Sequence, residues 1–584
     1  MMLHHRQFLV WHLCILICIS CFGCVFYTST GSAANNPGAI GGLGRSKAVL
    51  ININGPLVED ASASLSLRRG ITPVLARRIT TALEYIRNDA HIELVILNLS
   101  KMSAGSLATV SDVYRALAEV KKAGKTIYAF SENFTMSGFL LASVADQIWI
   151  DPFGDVELDG LAVNFPFFRR ALEKYGINAY IFRVGEYKSA VEPFTLYSIS
   201  DQVRRETSGL LNEEWNMYLG LLAENKRFAS LNIAGYALNR PALLSARKGN
   251  AAELALSQKL VDTVGTQDQF KAFVEENYKN IQPYQEYLRI APQIAKQRRT
   301  ASTPYVTVLY AVGEITRESE DPNAINAESL VDNIKTATEN PKTKALVLRI
   351  DSPGGEVFAS EMIARAIEKA KEKIPVVVSM AGIAASGGYW ASLAGTEIWA
   401  APTTLTGSIG VFAMMFSGAQ FLKNHGIDQE MLRTHEQAGM SASFWASGPN
   451  GAQRQMMQSS VDFIYAQFLK RLIESGRVKN EAQANALARG RVYTGETALK
   501  LGLVDKLGSL EDALKRAAEL ADLREYTVVV YSPQQSLFSR LLNAVGNPAN
   551  LILGEDISKL DITTPYLERN SEVYAMNSFV LDLP

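Results

Sequence analysis

Much of this chain is written twice, and a repeat of that length demands two copies of one fold. Displaced by about 250 residues, the sequence falls on itself in order. Arg115 meets Arg365, Ile148-Trp149 meets Ile398-Trp399, and Pro152 meets Pro402. Gly160 meets Gly410, Gly176-Ile177 meets Gly426-Ile427, Arg183 meets Arg433, and Glu186 meets Glu436. Ala142-Ser143 lies near Ala391-Ser392, and Leu260-Val261-Asp262 matches Leu503-Val504-Asp505 at a slightly smaller shift. One half therefore carries a short insertion. Each copy alternates short β-branched runs with helical spacing: Ala48–Ile53, Leu94–Leu99, a helix Val110–Lys122, Thr126–Phe130 and Ile148–Ile150 in the first. The second repeats this with Tyr305–Val312, Ala345–Ile350, a helix within Glu356–Lys373, Pro375–Val378 and Ile398–Ala401. The pattern predicts an α/β body with largely parallel sheets and right-handed crossovers.

Three glycine-rich turns close strands of the second copy. Asp351-Ser352-Pro353-Gly354-Gly355 leaves a strand and opens a helix, where tandem glycines let backbone N–H groups face an anion or an oxyanion. A tight turn with nothing bound explains it equally well. Ser386-Gly387-Gly388-Tyr389-Trp390 reads first as close packing before a helix. Thr404-Leu405-Thr406-Gly407-Ser408-Ile409-Gly410 sets a serine between glycines on a turn, a weak motif by itself and without a Gly-x-Ser-x-Gly elbow.

A serine nucleophile needs a base. Of the six histidines, only His91, His425 and His435 lie outside the first 12 residues, and none has a triad context. A lysine whose burial lowers its pKa can serve instead. The repeat offers a clue: Ser408 falls on Leu158, and Lys188 falls on Ala438. Each copy has one member of a pair that the other lacks, so a catalytic Ser408 and Lys188 would meet between the repeats.

All four cysteines (Cys14, Cys18, Cys21, Cys24) precede residue 25, so the rest of the 584 residues has no disulfide or thiolate metal site. They read as small apolar members of the run Phe8–Phe26, with a lipoprotein site at Cys21 or Cys24 as the weaker alternative. That run carries no formal charge and spans roughly 28 Å as a helix, close to a bilayer core. Arg6 precedes it and no Lys or Arg follows until Arg45, which sets the N-terminus in the cytoplasm and the body outside. A retained anchor is expected over a cleaved signal peptide. A net charge of −1 offers no field for nucleic acid.

Asp351–Gly355, Ala385–Trp390, Leu405–Val411 and Tyr187–Phe194, together with the anchor and the duplication, resemble the signal peptide peptidase A (protease IV) family in its long, double-domain bacterial form. The likeness covers roughly residues 47–530. It implies a tandem ClpP/crotonase-like fold behind an N-terminal transmembrane helix, with Ser408 as nucleophile, Lys188 as general base and the backbone N–H groups of Gly354 and Gly355 as the oxyanion site. It also implies an inner-membrane protein with a periplasmic body, a homotetramer, and degradation of residual signal peptides without metal or cofactor. The expected organisation is a cytoplasmic N-terminus and anchor over 1–27, a flexible linker over 28–46, repeats over 47–300 and 301–545, and a tail over 546–584 with no assigned role. Activity should be low in acid and rise towards alkaline pH, because Lys188 must be neutral. Two other classes are a crotonase-like enzyme acting on acyl-CoA, which export disfavours, and a catalytically dead scaffold.

Overall fold

A computed structural model describes residues 46–60, 73–103, 105–296, 302–319, 321, 323–531 and 574–576. The expected anchor over Phe8–Phe26, and the tail apart from 574–576, lie outside the described residues. Among the described residues, no helix is long and apolar enough to cross a membrane.

In the first half, strands β1 (Ala48–Gly55), β2 (Leu94–Met102), β3 (Thr126–Ser131) and β4 (Gln147–Ile150) pair in parallel. Thr263–Val264 and Ile281–Pro283 flank them, completing a six-stranded sheet. The Leu94–Leu97 run of β2 is buried without alternation, as a parallel strand covered on both faces requires. Helix α1 (Leu107–Lys122) returns the chain from β2 to β3. Ser106 caps it by accepting from Thr109 N, and Lys121 and Lys122 complement its C-terminal dipole. Helix α2 (Met136–Ala142) follows β3. Strand β5 (Asn178–Val184) then leaves this sheet, and the long helix α3 (Asp201–Ala223) follows.

The second half repeats the order. Strands β6 (Tyr305–Val312), β7 (Glu314–Thr316), β8 (Thr343–Ser352) and β9 (Gly354–Glu356) lead into helix α4 (Val357–Lys371). Next come β10 (Val376–Ala385), helix α5 (Gly387–Ser392), β11 (Glu397–Ala400), β12 (Leu405–Gly407) and β13 (Val411–Ser417). Helix α6 (Gly451–Glu474), strand β14 (Val492–Thr494) and strand β15 (Tyr574–Met576) complete the elements used below. The spacing placed the strand before the Ser386 turn at Pro375–Val378. The chain instead stays extended to Ala385, because Ile383–Ala385 gain a second pairing partner in Leu405–Gly407.

Kinship between the halves persists at the level of single contacts. Asp262 accepts from Ile148 N at 2.8 Å and pairs with Arg227. Asp505 accepts from Ile398 N at 2.7 Å and pairs with Arg477. Both halves thus fasten the same strand with the same aspartate–arginine pair.

A third sheet crosses the halves, in the order Ala324–Asn326, β7, β9, β15, β13, β5. Strand β5 of the first half pairs antiparallel along the whole of β13, from Val184 opposite Val411 to Asn178 opposite Ser417. That pairing delivers the segment after β5, which contains Lys188, to the second half.

Candidate active site

Lys188 follows a turn at Gly185 and is only 1% exposed. Its Nζ lies 2.7 Å from Ser386 Oγ, 2.9 Å from Ser408 Oγ and 2.9 Å from the Ser408 carbonyl oxygen. Both serines are fully buried. Burial holds the Lys188 amine well below the ordinary lysine range, since a charged ammonium there forgoes hydration. The sequence expectation that Lys188 of one half reaches Ser408 of the other is therefore met in position. Ser386, read from sequence as a packing turn, joins them.

Ser386 stands where β10 turns into α5, with φ 55° and ψ −116°, a backbone conformation costly for a residue other than glycine. Its N–H donates to Gly407 O, and its carbonyl accepts the helical Trp390 N–H. A side chain on either of the next two residues, both glycine, would crowd its neighbours. A Cβ on Gly387 would lie 2.4 Å from Ser360 Oγ and 3.2 Å from Gly355 N, and one on Gly388 would lie 3.0 Å from Ser352 O. The Ser386 turn is thus pressed against Gly354-Gly355, the expected oxyanion pair. Gly355 itself has φ 153° and sits against Ile315, where a Cβ would lie 1.9 Å from the carbonyl oxygen.

Ser408 has other neighbours. Its backbone φ is 51°, its N–H donates to Arg491 O at 2.6 Å, and Gly490 N donates to Ile409 O. A Cβ on Gly407 would meet Tyr493 and Arg491 O, and one on Gly410 would meet Gly490 and Val184 O. Gly490, with φ 84°, also packs on Lys188, where a Cβ would lie 2.5 Å from its N. The segment around Gly490 therefore grips Ser408 and Lys188 together. The histidines stand apart: His91 lies beside Asp89, and His425 Nδ1 faces Phe421 O.

The signal that could have found Ser386 is a serine leaving a buried strand for a helix, followed by two glycines. In the first half the corresponding Ser137 begins Ser-Gly-Phe-Leu, and its buried hydroxyl makes no hydrogen bond.

Comparison with known proteins gives the same frame. The model for peptidase family S49 matches residues 119–280 and 368–524, and the Clp protease model matches 301–404. Protease 4 of Salmonella typhi is 32% identical over 534 residues, covering 88% of this chain and 84% of the relative. Protease 4 of Haemophilus influenzae is 30% identical, covering 82% and 80%. The chloroplastic serine protease SPPA of Arabidopsis thaliana is 28% identical, covering 79% and 68%. With a ClpP-like α/β fold and two family matches placed one in each half, the chain belongs to peptidase family S49 and is a serine protease.

Proposed function

We propose that the protein cleaves peptides with a Ser–Lys pair in which Lys188 is the general base, Ser386 the nucleophile and Ser408 the residue that orients the amine. The observation that carries this is the buried Lys188 Nζ held between both serines. A neutral amine has two N–H donors and one lone pair. The Ser408 carbonyl can only accept, so it takes one N–H; one hydroxyl takes the second, and the other hydroxyl donates to the lone pair. Two observations favour Ser386 as that donor: it opens a helix on a strained turn, and the Gly355 amide lies against its own turn. The reading with Ser408 as nucleophile is favoured by its own 2.9 Å contact and its positive φ.

In this mechanism the Lys188 lone pair takes the Ser386 proton as Oγ attacks the peptide carbonyl. The Gly355 N–H holds the oxyanion, while that of Gly354, the other expected donor, is given to Ser352 Oγ at 3.2 Å; the Lys188 ammonium protonates the departing amine. Water then repeats the sequence on the acyl-enzyme. Strands β9 and β13 lie one strand apart, and a peptide laid between them would pair with both, presenting its carbonyl at Gly355.

The proposal extends to a retained anchor at Phe8–Phe26, a body on the periplasmic side of a bacterial inner membrane built from repeats 47–300 and 301–545, and a homotetramer. Residual signal peptides are the proposed substrates. A relative named putative signal peptide peptidase SppA from Enterococcus faecium, 29% identical over 36% of this chain, supports that choice.

The test is labelling with a fluorophosphonate followed by peptide mapping. The adduct is expected on Ser386, and it should vanish in Ser386→Ala and Lys188→Ala. An adduct on Ser408 instead exchanges the two serines' roles. Absence of both labelling and peptide hydrolysis in the wild type overturns the mechanism.

A further inference from the structure

Lys188 stands on neither a strand nor a helix. Strand β5 ends at Val184 and a short helical turn begins at Ser189, so Gly185–Lys188 is a loop. A lysine stem is flexible, and its Nζ stays on the serines only if this loop is held. The other half holds it. Arg489 O accepts from Tyr187 N at 2.9 Å, Arg489 Nη1 pairs with Glu186 at 3.1 Å, and Gly490 packs on Lys188. Arg491 adds side-chain contacts to the residue just before the base. Its guanidinium carbon lies 4.6 Å from the centre of the Tyr187 ring, and Nη2 donates to the Tyr187 hydroxyl at 3.1 Å. Glu206 and Tyr493 stand beside the same guanidinium, and Arg183 Nη1 reaches the Lys188 carbonyl at 3.4 Å. Arg491 Nε is sealed from solvent with no hydrogen-bond partner among the described residues, a cost that a surface arginine avoids. The carbonyl of the same residue receives the Ser408 N–H at 2.6 Å.

The repeat supplies a comparison within the molecule. The first half makes the same left-handed turn, with φ 56° at Lys248 and 84° at Gly249 against 60° at Arg489 and 84° at Gly490. The next residue there is Asn250, which caps the helix Ala251–Ser257 instead, and a Cβ on Gly249 would meet nothing within 4 Å. Tyr187 falls on Gln437, one residue before Ala438. At the counterpart positions Leu158, Asn250, Gln437 and Ala438, the serine, arginine, tyrosine and lysine are therefore absent together.

We propose that Arg491 is a positioning residue for the reaction: its carbonyl holds Ser408, its guanidinium clamps Tyr187, and together they keep the Lys188 amine on the serines and out of water. The inference rests on the reading of Lys188 as general base. A loosened loop would let water reach the amine, so Lys188 would stay protonated to higher pH and be aimed less well.

The experiment measures kcat and KM for a fluorogenic peptide ester against pH in the wild type, Arg491→Met, Arg491→Lys and Tyr187→Phe. Arg491→Met should lower kcat about thirtyfold with KM within about twofold, and move the rising limb up by about one pH unit. Arg491→Lys, which keeps a cation over the ring, should recover part of both changes. Tyr187→Phe keeps the ring and loses the hydroxyl, so kcat should fall about threefold with a smaller shift of the limb in the same direction. The double variant Arg491→Met with Tyr187→Phe should be no slower than Arg491→Met alone, because both remove one interaction. Unchanged kinetics, a fall in kcat with an unmoved limb, or additive losses in the double variant would overturn the clamp. If Arg491→Met does not fold, an unmoved limb in Tyr187→Phe overturns it equally. Retained hydrolysis in Lys188→Met instead removes the general-base reading, and the clamp with it.

Discussion

As the proposed base, Lys188 combines two demands that oppose each other: it must be buried for its amine to be neutral, and burying an amine costs stability. Because burial lowers its pKa in the folded state, the unfolded chain binds more protons between that value and the ordinary lysine pKa. Stability therefore falls as pH drops from about 10 towards the folded value. Lys188→Met should abolish hydrolysis yet unfold at a higher denaturant concentration than wild type, with a gap that widens as pH is lowered. Equal midpoints at all pH values would contradict a buried, readily deprotonated lysine. In the wild type, kcat/KM should rise with pH along a limb that reports Lys188, since only the neutral amine can take the serine proton. Beside it, Gly490→Ala would force a Cβ to 2.5 Å from Lys188 N at a positive φ. Activity should drop about a hundredfold, with stability lower by about 1–2 kcal/mol, as read by ester hydrolysis and urea titration.

At the level of elements, helix α3 of the first half holds strand β14 of the second. Glu206 accepts from Val492 N at 2.9 Å, and Glu213 accepts from the hydroxyls of Thr494 and Thr497. Burial pushes the Glu206 carboxyl up to about 7, so it takes up a proton around neutrality while its carbonyl oxygen still accepts. The residue before Val492 is Arg491, whose carbonyl receives the Ser408 N–H. Glu206 is thus two steps from the site. Glu206→Ala should loosen β14 and lower kcat about tenfold, whereas Glu206→Gln, which keeps the acceptor, should stay near wild type. Equal losses in the two variants would show that the charge, not the acceptor, matters.

Across the whole molecule, the halves are locked by a buried charge cluster. Arg349 of β8 pairs with Glu59 and with Asp112 of α1, both at 2.9 Å, and donates to Ser379 Oγ. Although burial opposes it, the Arg349 guanidinium holds the Glu59 carboxyl below its ordinary value, while burial carries Asp112 up to about 6. Arg349→Met would leave two buried carboxylates facing each other and should cost about 3–5 kcal/mol, read by chemical denaturation. Restored stability in Arg349→Met with Glu59→Gln and Asp112→Asn would identify charge, rather than packing, as the cause.

The duplication, the parallel α/β class and the meeting of Lys188 with Ser408 were legible in the sequence, because repeats and apolar runs are local patterns that survive in one dimension. The tandem glycines Gly354-Gly355 were legible as a turn from strand to helix, but spacing alone left an anion site and a bare tight turn equally open. Ser386 was not. Its Ser-Gly-Gly reads as packing until the strained turn and the approach of Lys188 are seen together, and that approach depends on β5 crossing to pair with β13. The slot between β9 and β13, and the C-terminal strand within it, were equally invisible. Strand pairing is a hydrogen-bond relation between backbones, which side-chain patterns leave unwritten, so only the tertiary structure decides which edges face each other and what lies between them.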